Sequence, residues 1–237
     1  VTFWRGADLQ SLGRTIASDL ALGMPSYRVA DYFGAKPDIV APNSGVVLAT
    51  NTETGRVVAL LVATRHSLGL TAYVSLDTIL VAERYQKTTL SARMLTCLVK
   101  GMAASSIELP SCLMLTTANP TSYCMATSFI RLAQVRVYPR IVGDQHPEDA
   151  KLAATLAQIH RPQFAFCKGT GVLAGGAGMV PQDFYPTLPA SRNRETNAYF
   201  GRHLGPSDRL LCLIVFPGID AKNRFWNFFV DEQRAYA

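Results

Sequence analysis

The chain has 237 residues, 49% of them hydrophobic, and a formal net charge of +6. That apolar share supplies a globular core and excludes a disordered protein. No apolar run approaches the roughly 20 residues that a membrane-spanning helix needs. The Lys and Arg residues form no consecutive block, which argues against the clustered basic stripe of a nucleic-acid binder. A mildly basic surface suits a polyanionic small molecule, such as a nucleotide-containing cofactor.

The five cysteines are Cys97, Cys112, Cys124, Cys167 and Cys212. Their number is odd, none forms a C-x-x-C pair, and all lie in apolar segments. Buried free thiols in a reducing, cytoplasmic compartment are expected. The four histidines, His66, His146, His160 and His203, show no ligand spacing, so no structural metal is expected. The first ten residues, VTFWRGADLQ, lack the charged-then-apolar order of a signal peptide.

In chain order, Val1 to Arg5 reads as a strand. Asp8 is placed as an N-cap, with Leu9, Leu12, Ile16 and Leu20 following at helical spacing until Gly23 and Pro25. Ser26 to Phe33 reads as a second helix closed by Gly34. Its Tyr27, Arg28, Asp31 and Tyr32 are either ligand contacts or surface polar residues of a packed helix. Gly45 to Asn51 and Arg56 to Arg65 form a hairpin around Thr52-Glu53-Thr54-Gly55, with Gly where φ > 0 is tolerated.

Ala72 to Val81 is rich in β-branched and apolar residues and reads as a strand. Ala82 to Thr88 is a short polar connection. From Thr89 the period changes: Leu90, Met94, Leu98 and Met102 fall on one helix face. A strand feeding a helix through a tight loop leaves free N–H groups at the helix N-terminus, which form an anion site. Gln86, Lys87, Thr88, Thr89 and Ser91 bring donors and a positive charge there. Asp77 interrupts the apolar strand, where a carboxylate can pair with an arginine across the sheet. Strand parity puts it on one face with Ser75, Ile79 and Val81. Glu83 is expected to be solvated.

Beyond the helix, Cys112 to Thr116 is a short strand. Thr117 to Ser122 opens a helix that continues through Tyr123, Met125, Phe129 and Leu132. Gln134 to Val142 reads as a strand, and Glu148 to His160 as a helix presenting Leu152, Leu156 and Ile159. Gln163 to Cys167 and Leu210 to Phe216 read as strands. Arg192 to Leu204 reads as a helix, and Arg224 to Ala237 as a helix or strand. Gly169-Thr170-Gly171-Val172-Leu173-Ala174 fits G-x-G-x-x-A, but the glycines that follow cannot open a helix. A turn or a flexible loop is expected there. No G-x-S-x-G elbow of a serine hydrolase occurs.

The stretch from Ala72 to Lys100 resembles the acyl-CoA-binding core of the GNAT acyltransferase superfamily. The family pattern is a strand, then Gln/Arg-x-x-Gly-x-Gly/Ala, then a helix. Gln86 matches it, and Ser91 is a small-residue match. Thr89 stands where the family has Gly, and its Cβ would crowd a closely approaching pyrophosphate. The preceding helices and hairpin occur in the family's order, so the resemblance covers about residues 1–142. It implies an α/β fold with a mixed, mostly antiparallel central sheet flanked by helices. Residues 143–237 would be a C-terminal α/β extension packed on the same sheet.

The resemblance also implies an activity: N-acyl transfer from acetyl-CoA or another acyl-CoA to a small-molecule or peptide amine. The loop Gln86, Lys87, Thr88, Thr89, Leu90 and Ser91 would hold the pyrophosphate. A backbone N–H at Leu80 or Val81 would polarise the thioester carbonyl. Asp77 would take the amine's proton. Asn119 matches a family asparagine and would contact the pantetheine arm or position a water. The family's tyrosine acid commonly falls seven residues after that asparagine, where this chain has Ala126. Tyr123 is then the nearest candidate acid. The rival reading is a GNAT-like binding or regulatory module that has lost catalysis, which Thr89 and Ala126 favour.

Overall fold

The computed structural model describes residues 1–42, 44–69, 71–104, 110–176, 184–185, 187 and 189–230. The chain divides into two compact units. The first holds Val1–Pro110, Asp183–Pro186 and Trp226–Ala237; the second holds Ser111–Gln182 and Thr187–Phe225. Strands β1–β4 and helices α1–α4 belong to the first unit, and β5–β9 and α5–α7 to the second.

In the first unit, β1 (Thr2–Arg5) runs directly into α1 (Gly6–Leu9). Any side chain at position 6 would collide with the Ala41 carbonyl, so this junction demands glycine. Asp8 therefore lies inside α1 rather than capping it. A single 3₁₀ turn separates α1 from α2 (Gly13–Gly23). Leu9, Ile16 and Leu20 are buried, whereas Leu12, in the 3₁₀ turn, is exposed. The second expected helix runs over Val29–Ala35 (α3), shifted toward the C-terminus.

Strands β2 (Ser44–Thr50), β3 (Val57–Leu68) and β4 (Thr71–Val81) continue the sheet in the order β1-β2-β3-β4, every neighbour antiparallel. The hairpin turn is fixed as expected. The Asn51 side chain accepts from the N–H groups of Glu53 and Thr54, and Gly55 has φ +68°. Helix α4 (Leu90–Ala104) buries Met94, Leu95, Leu98, Val99 and Met102.

In the second unit, β9 (Arg209–Val215) is the buried central strand. On one side it pairs with β5 (Cys112–Thr117). Its other edge is shared by β6 (Arg136–Tyr138) and β8 (Val172–Leu173), and β7 (Phe166–Cys167) pairs β8. All four pairings are antiparallel. β6 is far shorter than the expected strand, since Pro139 has no N–H to continue the ladder. The glycine motif at 169–174 is the β7–β8 hairpin, with Gly171 at φ +72° and its N–H on the Cys167 carbonyl. This is a turn and no dinucleotide loop.

The second unit's helices are α5 (Pro120–Ala133), α6 (Pro147–His160) and α7 (Arg194–His203). α6 buries Ala150, Ala153, Leu156 and Ala157, while Ile159, expected on that face, is 50% exposed. Its buried Asp149 takes a bidentate ion pair from Arg136 at 2.9 and 2.7 Å. α8 (Ile219–Val230) begins five residues before the element expected from Arg224, and residues 231–237 of that expectation lie outside the described residues. Cys167, expected buried, is exposed because the short hairpin leaves its end open. Among the described residues, no helix is long and apolar enough to cross a membrane.

Candidate active site

The sheet register around Asp77 is irregular. Thr78 pairs Val62 and Leu76 pairs Ala63, so Asp77 has no partner and forms a β-bulge. The bulge reverses the parity of everything after it. His66/Tyr73, Thr64/Ser75, Val62/Thr78 and Leu60/Leu80 share one face, and Ile79 and Val81 turn to the other. The expectation that Asp77, Ile79 and Val81 lie on one face fails for this reason. Leu76 and Thr78 are buried on either side of Asp77, whose own carboxylate is exposed.

That carboxylate is held by hydroxyls. Thr64 Oγ1 donates to Asp77 Oδ2 at 2.7 Å, and Ser75 Oγ donates to Oδ1 at 2.7 Å. The His66 Nε2 lies 2.9 Å from the same Ser75 oxygen. The imidazole stacks on Tyr73, with ring centroids 5.0 Å apart and planes 17° apart. Burial lowers the His66 pKa, against the opposing pull of Asp77.

Helix α3 adds a second group to the same face. Tyr32 is 5% exposed, and its hydroxyl lies 2.7 Å from Thr78 Oγ1. Lys36 Nζ donates to that phenol at 3.0 Å and sits 4.5 Å from its ring centre. Burial, with a smaller push from Asp77, raises the Tyr32 pKa to about 12. The rings of Tyr27, Tyr32, Phe184 and Tyr185 pack together in the same unit, at centroid distances of 5.1 to 6.2 Å. By contrast, a cavity of about 130 Å³ opens on the other sheet face, beside α4, with Phe3, Arg5, Arg65, Leu98 and Met102 in its walls.

The connection after β4 is braced from several directions. Glu83 is not merely solvated: Oε1 accepts from the Ser26 N–H at 2.7 Å and Oε2 from the Ser26 hydroxyl at 3.1 Å. Asn51 Nδ2 donates to the Tyr85 hydroxyl at 2.8 Å. Gln86 turns back on its own strand, donating from Nε2 to the Val81 carbonyl at 3.0 Å and accepting from Tyr27 at 3.4 Å. Thr88 donates to the Tyr85 carbonyl and accepts from the Leu90 N–H, the first donor of α4. Lys87 is exposed and held in the left-handed region at φ +63°. Thr89 is exposed, and its carbonyl takes the Arg93 N–H. The N–H groups of Ser91 and Ala92 have no carbonyl one turn earlier in the helix.

Leu80 and Val81 end β4, and both are buried. In the second unit, Asn119 caps α5, its side chain accepting from the Thr121 N–H at 2.9 Å. Tyr123 is 3% exposed and donates to the Pro139 carbonyl at 2.7 Å, and burial raises its pKa far above the ordinary phenol value. Ala126 is fully buried.

The structure thus brings Asp77 and the residues 86–91 onto one strand–loop–helix element. It also adds four residues that the sequence reading missed or left bland: Thr64, His66, Ser75 and Tyr32. A signal existed for the first three. Thr64 and His66 are two apart near the end of β3, and Ser75 and Asp77 are two apart in β4, which is how polar residues face one another across a hairpin.

No family model matches the sequence, and no curated protein matches it. Several solved structures are similar to it, among them acetyltransferases of the superfamily that the Gln86–Ser91 motif resembles. One is an aminoglycoside 6'-N-acetyltransferase complexed with coenzyme A, at 14% identity and TM-score 0.39, covering 89% of this chain and 94% of that one. Another is a GNAT family acetyltransferase from Elizabethkingia anophelis with acetyl-CoA bound, at 11% identity and TM-score 0.35, covering 83% and 87%. A third is aminoglycoside 6'-acetyltransferase type Ii, at 17% identity and TM-score 0.38, covering 50% and 73%.

Proposed function

We propose that this chain is an acyl-CoA-dependent N-acyltransferase, moving an acetyl or other acyl group to an amine. The observation that carries the reading is a single element. β4 holds an exposed carboxylate at a bulge, and its far end leads through a braced loop with an exposed lysine to the N-terminus of a 15-residue helix. A helix N-terminus with Lys87 beside it suits a pyrophosphate. Four residue steps of strand, about 13 Å, lead from Asp77 to Val81. A cofactor with its phosphates at one end and its thioester on an extended arm would span that gap.

In this reading the acceptor nitrogen attacks the thioester carbonyl, the C–S bond breaks, and Asp77 takes the nitrogen's proton. The N–H of Leu80 or Val81 polarises the carbonyl. The departing thiolate is basic enough to be protonated near neutral pH, as alkyl thiolates are, and can take its proton from water. Tyr123, enclosed and committed to Pro139, is therefore assigned a structural part. The acceptor is a small molecule or a peptide carrying an amine. A second reading, a module that binds acyl-CoA without turnover, is favoured by the full burial of Ala126.

Thermal-shift measurements with acetyl-CoA, longer acyl-CoAs and free CoA test the reading. A ligand at 100 times its Kd should stabilise the fold by about 2.7 kcal/mol. No shift with any CoA species at millimolar concentration sinks both readings. Binding without acyl transfer to any amine in a broad panel selects the second.

A further inference from the structure

We propose that His66, acting through Ser75, is a positioning residue for Asp77: the imidazole holds the Ser75 hydroxyl so that its one proton points at the carboxylate. The role rests on Asp77 being the base of the reading above, but the hydrogen-bond chain itself does not.

The argument is a count of protons. Ser75 has one hydroxyl proton and three oxygen or nitrogen neighbours: Asp77 Oδ1 at 2.7 Å, His66 Nε2 at 2.9 Å and the Thr64 carbonyl at 3.4 Å. An ionised carboxylate only accepts, and it is both the nearest and the charged acceptor. The proton goes to Asp77. His66 must then donate from Nε2, since two lone pairs would otherwise face each other at 2.9 Å. The neutral ring is held in the Nε2–H tautomer. Ser75 is 5% exposed, so water does not readily replace either partner.

The surroundings agree. Cross-strand pairing puts His66 opposite Tyr73 and Thr64 opposite Ser75, and the stacking on Tyr73 fixes the plane of the imidazole. Burial keeps the ring neutral at physiological pH, lowering its pKa. Thr64 supplies the matching donor on Oδ2. Each carboxylate oxygen thus has one hydroxyl donor from the sheet. The residue is exposed, so an amine can approach the remaining lone pairs.

The tautomer is measurable without a substrate, by long-range ¹H–¹⁵N correlation on labelled protein. The expected result is Nε2–H in the wild type and a tautomer mixture in Ser75→Ala. An Nδ1–H ring in the wild type overturns the proposal. His66→Phe keeps the stacked shape and loses the donor; kcat should fall about tenfold, with KM for acyl-CoA unchanged. His66→Gln returns an N–H donor and should recover most of that loss. Full activity in His66→Phe, or equal loss in both variants, overturns the positioning role. If His66→Phe does not fold, the wild-type tautomer and the His66→Gln rate decide. Acyl transfer that is absent even in the wild type sinks the function above and the catalytic role with it.

Discussion

The hydroxyls of Tyr32 and Thr78 lie 2.7 Å apart, and Thr78 directly follows the bulged Asp77. The phenol has its pKa raised from 10.0 to about 12 by burial. A group raised in the folded state contributes stability that is complete below its unfolded pKa near 10. The contribution is lost as pH climbs through about 12, because the unfolded chain gives up the proton first. Two pKa units correspond to at most about 2.7 kcal/mol. Tyr32→Phe removes the phenol's hydrogen bonds to Thr78 and Lys36 and should be less stable at pH 8, by about 1–3 kcal/mol. It should lose less further stability than the wild type between pH 10 and 12. Parallel denaturation curves across that window would refute the assignment.

Asp77→Asn keeps the shape and removes the basicity. We expect kcat to fall roughly 10²-fold and the Kd for acyl-CoA to stay constant. The stability loss should be about 1 kcal/mol, since the amide oxygen can still accept one hydroxyl. Melting temperature and kcat on one preparation decide the matter: a destabilised but fully active variant rules out the base.

Lys87 supplies a charge from a strained backbone. Its φ of +63° costs a non-glycine residue about 1 kcal/mol. Lys87→Gly should therefore raise the melting temperature of the free protein while weakening CoA binding. The wild type's affinity should also fall more steeply with salt than the variant's. A variant that gains stability and keeps its affinity would take the phosphates away from this loop.

Thr89 offers the complementary change. Thr89→Gly removes a Cβ from the approach to the α4 N-terminus and should leave CoA affinity unchanged or tighter. Thr89→Glu sets a carboxylate against phosphate and should abolish binding. Calorimetry giving equal Kd values for Thr89→Glu and the wild type would move the cofactor elsewhere.

Tyr123→Phe leaves the Pro139 carbonyl without its donor. We expect a stability loss of about 1–2 kcal/mol and a kcat within a factor of two of the wild type. A loss of kcat larger than tenfold in folded protein would restore Tyr123 as the acid.

Local chemistry made much of the first unit legible. Gly55, the apolar runs of β2 and β3, and the change of period at Thr89 each carry a physical signature in one short window. The bulge at Asp77 has none, because one extra residue in an apolar strand looks like continued alternation. It shows only when Val62 and Ala63 are paired with Thr78 and Leu76. The Tyr32–Thr78 bond spans 46 residues and the Ser26–Glu83 pair 57, distances over which residue spacing says nothing. β6 is shorter than the strand read over Gln134 to Val142, and β8 lies where a turn or loop is read, because each covers only part of one edge of β9. Their ends are set by that sharing and by Pro139.

The loop of residues 83–88 has four ties: to Ser26, to Asn51, to Tyr27 and to its own strand at Val81. Such a loop keeps one shape whether or not anything occupies it. An anion arriving there meets a receptor already cast, and little ordering entropy is lost on capture. The speed of association would then follow diffusion and the attraction of Lys87, with no wait for the loop to close. Departure would be governed by the strength of the contacts themselves.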